Sequence, residues 1–486
     1  MCGLSVLWVS FSWAQSYTDI THLSAIEGVW SGSNAFADVD GDGDSDVLIT
    51  GTNASSDPIA RLYTNDGTGV FTEVFNTPFV GVEFGAVAFA DVDGDQDQDV
   101  LIAGSHGFNS HSTRLYINDG SGRFMEDTMG ANFEGMARGA LSFADVDGDR
   151  DKDVLIVGND EPFSDVSLLY LNDGLGNFTR DTSRVLVATT YNGSMSLADV
   201  DGDRDNDVLV TGIATGLAKV AHLYKNDGSG NFQVVPGTPF ERVADGDFAF
   251  ADVDGDQDLD VLITGEGDNY TPIARLYINN GQGTFTEAPH TPFPGVEFSS
   301  VAFADVDGDK DADVIIGGTT ASHALIMKLY TNDGTGHFTE VQGNPFQGLE
   351  VGSVHFADLD GDRDMDLFTT GLNASFVPQT KLYRNTGSGI SLKEVQANPE
   401  KNHPLKLYPN PTAKRRLYLD YYAQRAGSLT LNLYDTKGLL LKQIEREVSK
   451  GEQTLTIDVS FLSAGYYILQ PAEGENGAAT TPVILR

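Results

Sequence analysis

The stretch Asp38-Val39-Asp40-Gly41-Asp42-Gly43-Asp44-Ser45-Asp46 places five carboxylates in nine residues, one at every second position. Like charges about 4 Å apart repel by about 1 kcal/mol in water, and by more in a lower dielectric. Such a segment curls around a cation or stays a solvated acidic turn, and recurrence separates these readings. The opening Asp returns at 91, 145, 199, 252, 305 and 358, at spacings of 53, 54, 54, 53, 53 and 53 residues. Each copy begins Ala-Asp-(Val/Leu)-Asp-Gly-Asp. Seven copies in one register favour the cation and make the chain an internal-repeat protein.

Around each loop the sequence reads as four short strands. Strand A is the apolar run before the loop, such as Val87-Ala88-Phe89, and strand B follows it, as Val100-Leu101-Ile102-Ala103 closed by Gly104. Strand C carries a Leu-Tyr pair, Leu115-Tyr116, and ends at the glycine turn Asn118-Asp119-Gly120-Ser121-Gly122; strand D begins at Phe124. Such β-rich runs split by Asn-Asp-Gly are hairpin signals. Four strands in this length make one propeller blade, and closing a ring of blades removes exposed sheet edges. The predicted fold is all-β: a seven-bladed β-propeller over 15–392, then a small β-sandwich domain.

The ends indicate how the ring closes. Tyr17-Thr18-Asp19-Ile20 matches strand D segments such as Phe71-Thr72-Glu73-Val74, whereas the seventh glycine turn, ending Gly387-Ser388-Gly389, is followed by Ile390-Ser391 with no Phe. The spare N-terminal strand is expected to complete the seventh blade.

The formal charge is −41, and its distribution is uneven. Residues 1–404 carry 63 acidic and 20 basic side chains, net −43, whereas 405–486 carry 8 and 10, net +2. A chain without basic surplus lacks the means to neutralise phosphates, which argues against a nucleic-acid partner. No apolar run is long enough for a membrane-spanning helix.

The loop is not an EF-hand, because its twelfth position is Ile49, where that motif needs Glu. It resembles instead the integrin-type FG-GAP repeat and the related VCBS repeat, whose loop reads Asp-x-(Asp/Asn)-x-Asp-Gly-x-x-Asp between strands A and B. Phe84-Gly85 matches that family's Phe-Gly opening and Gly104 its closing glycine. The resemblance implies up to seven Ca²⁺, one per blade, held by the carboxylates at positions 1, 3, 5 and 9 and the backbone carbonyl at position 7. In loop 1 these are Asp38, Asp40, Asp42, Asp46 and, through its carbonyl, Asp44. Loop 2 supplies Asp91, Asp93, Asp95, Asp97 and Asp99, and loop 3 Asp145, Asp147, Asp149, Asp151 and Asp153. Loop 4 has Asp199, Asp201, Asp203, Asp205 and Asp207; loop 5 has Asp252, Asp254, Asp256, Asp258 and Asp260. Loop 6 has Asp305, Asp307, Asp309, Asp311 and Asp313; loop 7 has Asp358, Asp360, Asp362, Asp364 and Asp366. One departure stands out. Position 6, often Gly in the family, is Gly43 in loop 1 but Gln96, Arg150, Arg204, Gln257, Lys310 and Arg363 elsewhere. The glycine at position 4 of every copy is expected to take part of the bend.

In an up-and-down blade the aspartate loops share one face with the glycine turns, and the B–C loops lie on the other. The B–C loops differ between copies, as in Asn53-Ala54-Ser55-Ser56-Asp57, His106-Gly107-Phe108-Asn109-Ser110 and Asp268-Asn269-Tyr270. Repeat scaffolds often bind partners on such a face, though drift in solvated loops produces the same variation. Phe108, Phe163, Tyr270 and Phe376 are the aromatic candidates for a glycan or extracellular protein ligand. The nine His residues are scattered and no hydrolase motif is present. The expected function is a non-catalytic adhesion or binding module. The alternatives are a polysaccharide-active enzyme or accessory subunit using a propeller face, and a structural spacer.

The chain opens with an apolar run, Leu4 to Ala14, ending in Ser12-Trp13-Ala14, which resembles a secretory signal peptide over 1–14. Its removal takes with it Cys2, the single Cys, so disulfides are not expected to contribute. Residues 393–404, with Pro399 and Pro404, read as a linker before a domain over 405–486. There Tyr408-Pro409-Asn410-Pro411, Tyr434-Asp435-Thr436-Lys437-Gly438 and Leu462-Ser463-Ala464-Gly465-Tyr466-Tyr467 resemble the C-terminal sorting domain of the type IX (Por) secretion system of Bacteroidota. This implies the type IX machinery as a partner and a secreted or outer-surface location.

Overall fold

The computed structural model describes residues 16–386 apart from 108–109, 131, 161–163, 184–185, 187–188, 192 and 215, and, further on, 406–408, 416–423, 427–434, 440–460, 462, 465–471 and 481–485. The expected signal peptide, the linker, Phe108 and Phe163 lie outside the described residues. The chain divides into two compact units, Met1–Gly389 and Ile390–Arg486.

The first unit is built from seven antiparallel groups whose strands run A-B-C-D; the fourth carries a fifth strand, Thr189–Tyr191, and an Ile273–Val296 pairing joins the fifth and sixth into one eight-stranded sheet. The first comprises Asn34–Ala37, Asp46–Thr52, Pro58–Asn65 and Phe71–Glu73, the second Glu83–Ala90, Asp99–Ser105, His111–Asn118 and Phe124–Glu126. Strand B starts at the ninth loop residue in all seven copies, from Asp46–Thr52 to Asp366–Leu372. Asp46–Thr52 and Asp99–Ser105 are buried along their whole length. Sheets packed on both faces explain why these strands read as unbroken apolar runs rather than alternating ones.

Seven apolar clusters join the groups in a cycle. Leu48 and Leu62 of the first pack with Val100 and Tyr116 of the second; equivalent clusters join each later pair. The last unites Leu359, Phe368 and Leu382 of the seventh group with Val47, Ile49 and Tyr63 of the first. The ring closes as expected from the ends: Tyr17–Asp19 pairs antiparallel with Pro378–Asn385, with Tyr17 opposite Asn385 and Asp19 opposite Tyr383. The Tyr17 hydroxyl donates to the Met365 carbonyl at 2.9 Å. Polar ties cross the blades as well. Asp247, at the start of strand A in blade 5, accepts from Ser194 Oγ of blade 4 at 2.7 Å and Ser300 Oγ of blade 6 at 3.2 Å.

The second unit has two antiparallel sheets. One orders Lys406–Tyr408, Arg416–Ala423 and Gly451–Asp458; the other orders Leu440–Val448, Gly427–Tyr434, Gly465–Pro471 and Thr481–Leu485. Leu417, Leu419, Leu455 and Ile457 from the first meet Leu429, Leu431, Leu433, Ile444 and Leu469 from the second in one core. Tyr418, between two core leucines, is 42% exposed, the alternation of a strand with one covered face. Among the described residues, no helix is long and apolar enough to cross a membrane.

Candidate metal centres on the aspartate loops

Each loop is held by its own carboxylates. In loop 1 Asp38 takes the Gly41 N–H on Oδ1 at 2.8 Å and the Gly43 N–H on Oδ2 at 3.0 Å, while Asp42 Oδ1 takes the Asp44 N–H at 3.0 Å. Asp46 is fully buried and accepts the Val39 N–H on Oδ2 at 3.0 Å and the Asn65 N–H on Oδ1 at 2.8 Å. Position 9 repeats this in every copy, for example Asp99 with Val92 and Asn118, and Asp366 with Leu359 and Asn385.

The bend uses both candidate positions. Gly41 at position 4 has φ 76°, and position 6 is also left-handed in all seven loops, including Gln96 (75°), Arg150 (79°), Lys310 (78°) and Arg363 (74°). A non-glycine residue there costs roughly 1–2 kcal/mol. A hydrogen bond accompanies the strain: the position-6 N–H donates to the position-1 carboxylate, as Arg150 to Asp145 Oδ2 at 3.0 Å.

The loops gather carboxylates at positions 1, 3 and 5 or 1, 3 and 9. Oxygens of Asp38, Asp40 and Asp42 lie within 4.8 Å of one another, as do those of Asp91, Asp93 and Asp99 and of Asp252, Asp254 and Asp260. Position 7 is different. Its side chain lies against the glycine turn of its own blade, where a Cβ on Gly120 would come within 2.4 Å of Asp97 Oδ2. That leaves its backbone carbonyl as the group to consider for a metal.

Two features describe what burial does to these carboxylates. The Oδ1 atoms of Asp40, Asp201, Asp254, Asp307 and Asp360, all at position 3, are buried with no hydrogen-bond partner, an expensive state for a carboxylate. Burial also pushes the position-9 carboxyls up against the pull of their two N–H donors: Asp46, Asp99, Asp153 and Asp207 to about 6, and Asp260, Asp313 and Asp366 to about 7. Asp40 and Asp254 are raised by burial and then by the neighbouring Asp42 and Asp256. An all-oxygen donor set suits a hard divalent cation.

The Asn before each glycine turn, which in sequence belongs to the turn, is an inter-blade tie. The Asn118 side-chain amide donates to the Val39 carbonyl of loop 1 at 2.8 Å, and Asn65 to the Leu359 carbonyl of loop 7 at 2.8 Å. The same bond runs from Asn172, Asn226, Asn279, Asn332 and Asn385 to the preceding loop, completing the cycle.

At the other end of strand A lies a second ring that sequence reading missed. The residue seven before each loop Asp is left-handed at every described copy: Ser31, Phe84, Arg138, Asp245, Phe298 and Val351, with φ between 47° and 60°. Their backbones bond blade to blade, Phe84 N–H to the Ser31 carbonyl at 2.6 Å, Ser31 to Val351 at 2.9 Å and Phe298 to Asp245 at 2.6 Å. The Arg138 guanidinium stacks 4.1 Å over the Phe84 ring, and Trp30 meets Phe84 edge-on at 6.4 Å. Nearby, Lys219 pairs with Glu266 at 2.6 Å and lies 5.1 Å from the Tyr270 ring. Tyr270 is 82% and Phe376 75% exposed on the B–C loops. The signal available in sequence was the constant offset alone, since these residues share no chemistry.

A cyclic set of four-stranded blades, each with an aspartate loop between strands A and B, defines a repeat propeller. The chain belongs to the FG-GAP-like repeat family, matched over residues 38–102, 91–156, 145–210, 252–316 and 319–369. Residues 406–486 match the secretion system C-terminal sorting domain, which marks the protein as secreted or cell-surface. The chain is similar to human (Homo sapiens) cartilage acidic protein 1, 22% identical over 338 residues, covering 61% of this chain and 49% of that protein. It thus spans about half the length of the curated relatives it matches. Among solved structures it is similar to the V. cholerae biofilm matrix protein Bap1, with TM-score 0.33 and 12% identity over 94% of this chain and 66% of that one. It is also similar to Aleuria aurantia lectin, with TM-score 0.37 and 10% identity over 65% of this chain and 95% of that one.

Proposed function

We propose that this protein is a calcium-stabilised, non-catalytic binding module that works outside the cell. In each blade the carboxylates at positions 1, 3, 5 and 9 and the carbonyl at position 7 hold one Ca²⁺. When bound, the ion supplies the charge that the orphaned Oδ1 atoms of Asp40, Asp201, Asp254, Asp307 and Asp360 lack. The aspartate loops are then fasteners between blades, which leaves the opposite face for a partner.

The observation that carries the binding reading is the left-handed ring at the start of strand A. Six described non-glycine residues sit in a sparsely populated backbone conformation around one mouth, and such strain concentrates at ligand sites. Arg138 over Phe84, with Trp30 edge-on to the same ring, lies on the face that carries the variable B–C loops. Aromatic faces beside charged groups suit a glycan or an extracellular protein ligand. The test is a glycan and matrix-protein array probed with the calcium-loaded chain, its Arg138→Ala variant and its Phe84→Ser variant. Binding by the parent that both variants lose supports the reading. Turnover of a polysaccharide without stable binding replaces it with an enzymatic one.

A further inference from the structure

Loops 4 and 7 differ from the other five in one respect. The penultimate residue of strand C is Thr64, Ile117, Leu171, Ile278 or Thr331 in five blades, when counted back from the tying Asn. In blades 4 and 7 it is Lys225 and Arg384. Each reaches the position-3 carboxylate of its own loop: Lys225 Nζ lies 2.8 Å from Asp201 Oδ2, and Arg384 Nε 2.7 Å from Asp360 Oδ2. Each also donates to the glycine turn of the following blade, Lys225 to the Gln282 carbonyl at 2.7 Å and Arg384 to the Thr68 carbonyl. The turn leaves room for them: a Cβ on Gly283 would come within 2.6 Å of Lys225 Cε, and one on Gly69 within 3.3 Å of Arg384 Nη2. All four carboxylate and cation side chains are at most 31% exposed, so screening by salt is only partial.

Resting on the calcium reading above, we infer that Lys225 and Arg384 are built-in counter-ions that make loops 4 and 7 the two weak calcium sites. One oxygen of the position-3 carboxylate is already occupied by the protein's own cation, while the other, Oδ1, stays buried and unpartnered in both Asp201 and Asp360. The ion can still enter, but the resident cation lowers by one the net negative charge that it meets. Ligand charge count is a main determinant of affinity in oxygen-ligated calcium sites. Repulsion at such range weakens binding by about tenfold or more. The same contacts fasten these two loops to the next blade without metal, at two places in the cycle.

The test is a calcium titration of the chelator-treated full chain by calorimetry, for the parent and for Lys225→Thr/Arg384→Thr. Threonine is the native residue at this place in blades 1 and 6. The parent is expected to show five tighter and two weaker sites, and the double variant a single class of seven. A single class in the parent, or two weak sites surviving in the double variant, overturns the inference. Absence of any binding overturns the calcium reading itself, a result distinct from seven equal sites. Hydrogen exchange on the parent gives a second readout that needs no variant. Calcium should slow amide exchange less in loops 4 and 7 than in the other five, and equal slowing in all seven overturns the inference.

Discussion

The backbone N–H of Asn65 donates to Asp46 Oδ1 at 2.8 Å, so the residue that ends strand C is fixed to the residue that begins strand B. The same Asn65 sends its side-chain amide to the Leu359 carbonyl in the loop of the neighbouring blade. One residue therefore joins two aspartate loops, and the pattern runs round the whole cycle. The fold's closure and its loop geometry depend on the same bonds.

Removing such a tie should cost stability with little change elsewhere. Asn118→Ala keeps the backbone bond to Asp99 but leaves the buried Val39 carbonyl without its donor. The expected loss is about 1–3 kcal/mol, read as a lower urea midpoint at unchanged slope. A midpoint indistinguishable from the parent's would show that the tie is incidental.

Positions 7 and 9 of one loop should respond differently. Asp99 is buried and accepts two backbone N–H groups, so Asp99→Ala orphans both and should cost about 3 kcal/mol or more. It should also remove one calcium from the stoichiometry. Asp97→Ala keeps the carbonyl proposed as a ligand, and its calcium count should stay the same. Loss of one ion in both variants would assign the Asp97 carboxylate, rather than its carbonyl, to the metal.

His355 gives the fold an acid-side limit. It stands in strand A where the other blades have Ala35, Ala88, Ser142, Ser196, Ala249 and Ala302, and it packs 6.2 Å from the Phe36 ring. Burial pushes its imidazolium pKa down to about 4. A base with a depressed folded pKa contributes stability that is present above its unfolded value of about 6.5 and lost as pH falls through about 4. His355→Ala should therefore flatten the pH dependence of stability between these values, by at most about 3 kcal/mol relative to the parent. Parallel pH profiles for the two proteins would mean that the imidazole is solvated.

Much of this was legible in the sequence, because the period and the loop motif are local and repeated. The all-β class, the four strands per copy and the pairing of Tyr17–Asp19 with the last blade follow from matching copies against one another. The left-handed ring was not legible. Ser31, Phe84, Arg138, Asp245, Phe298 and Val351 have no common side-chain chemistry, and their backbone angle accompanies hydrogen bonds from the neighbouring blade. The counter-ions escaped for a related reason. Lys225 and Arg384 replace Thr, Ile or Leu at a strand position where a long basic side chain reads as solvent-facing, and only the fold shows that it meets Asp201 or Asp360. The bend at position 6 shows the opposite case, in which Arg150 and Lys310 follow glycine's backbone path because an N–H to the opening aspartate holds them there.

Calorimetric melting of the full chain in calcium and in excess chelator tests the role of the loops most directly. Seven ions that bind the folded loops and not the unfolded chain should raise the melting temperature by more than about 5 °C, and further as calcium increases. Superimposable melting curves in calcium and chelator would contradict the view that the aspartate loops are closed by metal.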